Sequence, residues 1–116
     1  MTIQEFYAAV GGDYDEVIGR LRKEERVTRF ARLFLEDPSY GQLVDSMREQ
    51  NTDEAFRAAH TLKGVCQNLS FTRLYEAAYE ITETLRCGDL EKAKLQMTPV
   101  QEAYQVIIEA LDKIEA

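Results

Sequence analysis

Histidine is almost missing from this chain: His60 is the sole one in 116 residues, and cysteine occurs only twice, at Cys66 and Cys87. One imidazole and two thiols at those positions show no ligand spacing, so no metal site is expected. No apolar run approaches the ~20 residues needed to span a bilayer. The opening Met1-Thr2-Ile3-Gln4-Glu5 lacks the basic and apolar segments of a secretory signal. Those two absences make a cytoplasmic location the expectation, with no membrane partner and no disulfide. Basic residues are outnumbered, 14 Lys and Arg against 21 Asp and Glu, for a net charge of −7. A chain that must neutralise phosphates needs the reverse balance, so nucleic acid is not the expected partner. No glycine-rich phosphate loop, low-complexity tract, internal repeat or sustained strand alternation appears, which leaves no nucleotide site and no sheet.

What remains is helix. The length suits one domain over residues 1–116, and a hydrophobic content of 45% suffices for a core. Thr2 can cap a short helix carrying Ile3, Phe6, Tyr7 and Val10, which Gly11-Gly12 ends. Asp13 and Glu16 form a capping-box pattern before Val17, Ile18 and Leu21. These two pieces are expected to pack across one end of a larger bundle, as its weakest elements. From Glu24 to Glu36, Val27, Phe30, Ala31 and Phe34 repeat at helical spacing. Asp37-Pro38 breaks that helix, and Pro38 can open the next at its first position, with Tyr40, Leu43, Val44 and Met47 as its stripe. Asn51, with Glu54 three residues on, caps a helix to about Leu69. Ser70 is expected to cap the following one, striped by Leu74, Ala77, Ala78, Ile81 and Leu85. Gly88 lies just past its end. Asp89 begins the last stretch, where Thr98-Pro99 predicts a kink or break before Val100, Tyr104, Ile107, Ile108, Leu111 and Ile114. Long amphipathic helices joined by short turns predict an all-α antiparallel bundle, its core built from the helices that start near Glu24, Pro38, Asn51 and Ser70, with the C-terminal stretch closing or extending it.

The stretch around His60 is the most informative. With His60 at zero on a wheel of about 100° per residue, Ala55, Ala58, Ala59, Leu62, Val65, Cys66 and Leu69 fall between about 140° and about 260°. The imidazole therefore faces away from the core. Phe56, Arg57, Lys63, Gly64 and Gln67 share its face. A mid-helix glycine costs about 1 kcal/mol relative to alanine, so Gly64, one turn after His60, points to a need for close approach. Lys63 and Arg57 place positive charge beside the ring. Phe56 has two readings, an outward docking residue or a side chain packed under the N-terminal helices. Gln67 is either a hydrogen-bonding neighbour of the site or ordinary surface. Cys66 belongs to the apolar arc.

His60-Thr61-Leu62-Lys63-Gly64 followed by Asn68-Leu69 resembles the signature of histidine-containing phosphotransfer (HPt) domains. One departure is Ser70, where that family usually has glycine. The resemblance implies an up-down four-helix bundle with the histidine on a central helix. It also implies a phosphorelay intermediate. His60 would accept a phosphoryl group from a receiver-domain aspartate or a kinase and pass it to another response-regulator aspartate. His60, Lys63 and Gly64 would carry the chemistry, and Phe56, Arg57 and Gln67 would meet the partner. No acidic cluster stands near His60, so the chain itself needs no cofactor, and Mg²⁺ is expected in the partner receiver domain. The implied partners are a response-regulator receiver domain or a hybrid histidine kinase, with the chain itself a monomer and not an autonomous enzyme. The alternatives are a non-catalytic helical adaptor of the same fold, the dimerisation domain of a sensor kinase, and an HPt segment of a larger hybrid kinase. In the sensor-kinase domain an acidic residue normally follows the histidine, where this chain has Thr61.

Overall fold

Most helices of this protein start at a side chain that accepts a hydrogen bond from the first turn, where backbone N–H groups have no intrahelical partner. In the computed structural model, which describes residues 1–115, Thr2 and Glu5 exchange reciprocal bonds at the start of α1 (Ile3–Ala9). Asp13 accepts the Glu16 N–H at 3.0 Å and opens α2 (Tyr14–Leu21). The reciprocal half of that box is absent, because the Glu16 carboxylate turns to Ser70 instead. Two acidic residues lead α3 (Glu24–Leu33), which tightens into a 3-10 turn at Phe34–Glu36. Asp37 accepts from the Ser39 N–H and hydroxyl at the start of α4 (Ser39–Arg48). Pro38 stands just before the first helical residue, not in it. Asn51 caps α5 (Thr52–Leu69) through the Glu54 N–H at 3.1 Å. Then come α6 (Thr72–Arg86) and α7 (Leu90–Leu111), the latter capped by Asp89. The described residues are all-helical, with no strand, and none of their helices is long and apolar enough to cross a membrane.

The helix α5 lies between α4 and α6, and α7 packs along α6. Residues 49–51, 70–71 and 87–89 join helices that lie side by side, so each runs antiparallel to the one before it. The same device ends all three helices before those turns. Gln50, Ser70 and Gly88 adopt left-handed φ values of 56°, 56° and 77°. At each, two backbone N–H groups fold back on the last carbonyls, as Ser70 to Gln67 and Phe71 to Cys66 do after α5. The ring planes of Tyr40 and Tyr104 stack 3.7 Å apart between centroids and bring α4 to α7.

The four long helices packed in series are α4, α5, α6 and α7, not the four that start near Glu24, Pro38, Asn51 and Ser70, because α3 touches α5 only slightly while α7 packs along α6. Four further expectations need correction. Ser70 ends α5 and does not cap α6; Phe71 holds the capping position with no side-chain bond. Phe30 is 38% exposed, with the Arg29 guanidinium 5.4 Å from its ring centroid, because the stripe of α3 is narrower than its periodicity implied. No break occurs at Pro99: α7 is continuous through it. Pro99 is on the exposed side, while Met97, Val100 and Ala103 carry the buried stripe past it. Nor is α1 a weak appendage, since it contributes the fully buried Phe6 and Tyr7. Their rings join Phe71 and Phe34 in one aromatic cluster, with Phe34 and Phe71 centroids 5.3 Å apart. The Tyr7 hydroxyl donates to the Leu69 carbonyl at 2.7 Å. That cluster anchors the C-terminal end of α5 and leaves its middle free on one side.

Candidate functional site

The inner face of α5 is made of small residues: Ala55, Ala58, Ala59 and Cys66 are buried together with Leu62 and Leu69. Small side chains let α4 and α6 approach closely and fix the rotation of α5 about its axis. His60 is left on the outer face, exposed. Cys66 is not a rival nucleophile, since burial pushes its thiol well above the ordinary range and keeps it protonated.

The antiparallel register sets what flanks the imidazole on the α6 side. Stepping up α5, Phe56 meets Arg86, Lys63 meets Tyr79, and Gln67 shares a cleft with Tyr75. Phe56 is half-buried, its ring centroid 5.9 Å from that of His60 and tilted by 42°. The Arg86 guanidinium lies over the Phe56 ring at 4.9 Å and pairs with Glu83 at 3.2 Å. Phe56 is therefore not under the N-terminal helices, which gather at the opposite end of α5 around Ser70 and Leu69. Lys63 reaches sideways, its Nζ 5.5 Å from the Tyr79 ring centroid. Arg57 folds back along its own helix to Glu54, Nη1 to Oε1 at 2.7 Å, so its charge is already partnered. Gln67 is exposed, and its backbone carbonyl accepts from Arg20 at 3.3 Å. At Gly64 a methyl group would meet nothing within 4 Å. The protein itself makes no use of the space that glycine leaves.

On the other flank, Phe30 and Leu33 of α3 and Val65 and Asn68 of α5 line a shallow groove of about 230 Å³. No three His, Cys, Asp or Glu side chains converge to hold a metal ion among the described residues. The six residues expected at the site thus lie along α5, with the Phe56 ring beside the imidazole. Sequence reasoning missed Tyr79, Glu83 and Arg86. They come from α6, and the two-residue turn after α5 was the available signal, because it fixes which residues of α6 meet Phe56 and Lys63.

A family model described as Hpt domain matches residues 24–116. A protein named chemotaxis protein CheA, from Halobacterium salinarum, is 35% identical over 107 residues. That alignment covers 90% of this chain but 15% of the relative, so the chain spans a small part of that protein's length. No solved structure matches the chain.

Proposed function

The chain belongs to the Hpt domain family, and from that premise we propose that it is a phosphorelay intermediate in two-component signalling. His60 accepts a phosphoryl group from the aspartate of a receiver domain and returns it to another. A neutral imidazole nitrogen attacks phosphorus in line, the N–P bond forms as the acyl-phosphate P–O bond breaks, and the aspartate leaves as carboxylate. Such transfer depends on positioning and on charge stabilisation. The observation that carries this reading is the open space at Gly64 beside an exposed lone histidine. An acidic pocket one turn from the imidazole meets no steric barrier there. Lys63 supplies charge to the transferring group, and Phe56 with its stacked Arg86 meets the partner. Arg57 and Gln67 lie at the rim. The catalytic Mg²⁺ belongs to the receiver domain. The helices α4–α7 then act as an up-down four-helix bundle closed by the Tyr40–Tyr104 stack, with α1 and α2 across one end. The domain works as a monomer without a nucleotide site of its own.

The test is a two-receiver chase. Label the chain from one phosphorylated receiver domain with Mg²⁺, then add a second, unlabelled receiver. Label should appear on the chain as acid-labile phosphate and then leave for the second receiver. A chain that takes no label, or keeps it, contradicts the relay. The match to a small part of a longer chemotaxis protein favours a second reading, in which the same site serves as the Hpt segment of a larger kinase. The size of the native protein detected by an antibody to this domain separates the two.

A further inference from the structure

Lys63 is held by something. Its Nζ lies 5.5 Å from the centroid of the Tyr79 ring, across the groove between α5 and α6. Tyr79 is 44% exposed, although it sits on a helix whose stripe is otherwise well covered. Its ring centroid lies 6.2 Å from that of Tyr75, and the ammonium approaches the same ring. No carboxylate pairs with Lys63 among the described residues, in contrast to Arg57, Arg86 and Lys94, which each find a glutamate on their own helix. An aromatic face holds a cation more weakly than a charged phosphoryl oxygen does. It also leaves that cation formally unneutralised.

We propose that Tyr79 is a positioning residue for Lys63. Its ring keeps the ammonium over the α5–α6 groove both before and after His60 is phosphorylated, so that the ammonium meets the phosphoryl oxygens already positioned. A lysine side chain has considerable rotamer freedom, and a cation held beside the site loses less of it on binding the phosphoryl oxygens. The held ammonium has a second effect. Hydrolysis of phosphohistidine adds water to phosphorus and breaks the P–N bond, and the leaving imidazole nitrogen recovers a proton as inorganic phosphate departs. An ammonium that reaches the phosphoryl oxygens stabilises the phosphorylated ground state by a charge-assisted hydrogen bond, so the ring that positions Lys63 lengthens the life of that state. This inference rests on the reading of His60 as phosphoacceptor.

The experiment uses phosphoramidate, a small phosphoryl donor, so no partner protein enters. The imidazole nitrogen bonds to phosphorus as the P–N bond of phosphoramidate breaks and ammonia leaves, and the proton lost by the imidazole goes to solvent. His60 is the chain's only histidine, so the decay of the phosphohistidine signal in phosphorus NMR reports on it alone. Tyr79→Leu should shorten the lifetime about threefold, the scale of an exposed cation–aromatic contact. Tyr79→Phe, which keeps the ring, should match the unaltered chain. Lys63→Ala should shorten the lifetime, and adding Tyr79→Leu to it should change nothing further. An unchanged lifetime in Tyr79→Leu, or additive effects in the double variant, would overturn the proposal. So would a Tyr79→Phe variant as impaired as Tyr79→Leu. A chain that holds the group from phosphoramidate but takes none from a phosphorylated receiver refutes the relay and leaves the Tyr79 result standing. Failure of phosphoramidate to modify His60 would overturn the proposal, and label taken from a phosphorylated receiver would then leave the relay standing.

Discussion

The proposed role of His60 calls for room and positive charge from its neighbours, and the two were unequally legible. Room could be read on a helical wheel, because a glycine one turn from a lone outward histidine has no folding purpose. The open space at Gly64 agrees with that. Gly64→Ala should raise stability by up to about 1 kcal/mol in thermal melts while slowing transfer in single-turnover assays, with larger residues slowing it more. Bulky side chains there with an unchanged rate would refute the steric account. Charge was only half legible. Lys63 and Arg57 could be placed on the right face, but a wheel holds no information on Glu54 capturing Arg57 or on Tyr79 and Arg86 arriving from α6. Phe56 and Lys63 should act at different stages. Phe56→Ala should weaken receiver binding by more than about 1 kcal/mol, as interface aromatics often do, with little effect on the rate at saturation. Lys63→Ala should leave the binding constant nearly intact and lower that rate. Equal effects on both quantities in both variants would remove the distinction.

The helices themselves were mostly legible because their caps are local. Thr2, Asp13, Asn51 and Asp89 each cap the helix that follows them, and Gly88 ends α6. Errors arose where a distant partner decides. Ser70 has the polar side chain of a good N-cap, yet it takes the left-handed position after α5, where Glu16 and Arg20 of α2 capture its hydroxyl. It donates to Glu16 at 2.6 Å and accepts from Arg20 at 2.7 Å. A non-glycine residue in that conformation costs roughly 1 kcal/mol, and the two charge-assisted bonds offset it. Ser70→Ala keeps the strain and loses both bonds, so it should lower stability by about 1–2 kcal/mol. Ser70→Gly loses the bonds but relieves the strain, so it should be the milder change in denaturant melts. The opposite order would show that the left-handed position of Ser70 carries no strain for glycine to relieve. Pro99 misled for a related reason: it removes one backbone bond on the exposed side of a helix whose buried stripe continues past it.

Across the whole molecule, residues 1–23 lie outside the family match yet supply part of its core. Their modest apolar count hid this, because Phe6 and Tyr7 act through aromatic contacts with Phe71, far along the chain. Gly12 seals the junction. A methyl group there would stand 2.7 Å from the Tyr7 ring and 2.9 Å from the Ser70 carbonyl. Burial pushes the Tyr7 phenol above its ordinary value, whereas in the unfolded chain it ionises near pH ~10. Its contribution is therefore fully present below about pH 10 and is lost as the pH rises further. Tyr7→Phe should lose about 1 kcal/mol near neutrality, with its bond to the Leu69 carbonyl, and should show a shallower loss of stability in alkaline melts. An unchanged alkaline slope would mean that Tyr7 is not held neutral. All of this scaffolding serves to present one imidazole, and that claim has a direct measurement: the single-turnover transfer of labelled phosphate from a phosphorylated receiver domain, with Mg²⁺, to the chain and to its His60→Gln variant. The account predicts acid-labile label on the unaltered chain and none on the variant. Persistent labelling of the variant, or none on either, would contradict it.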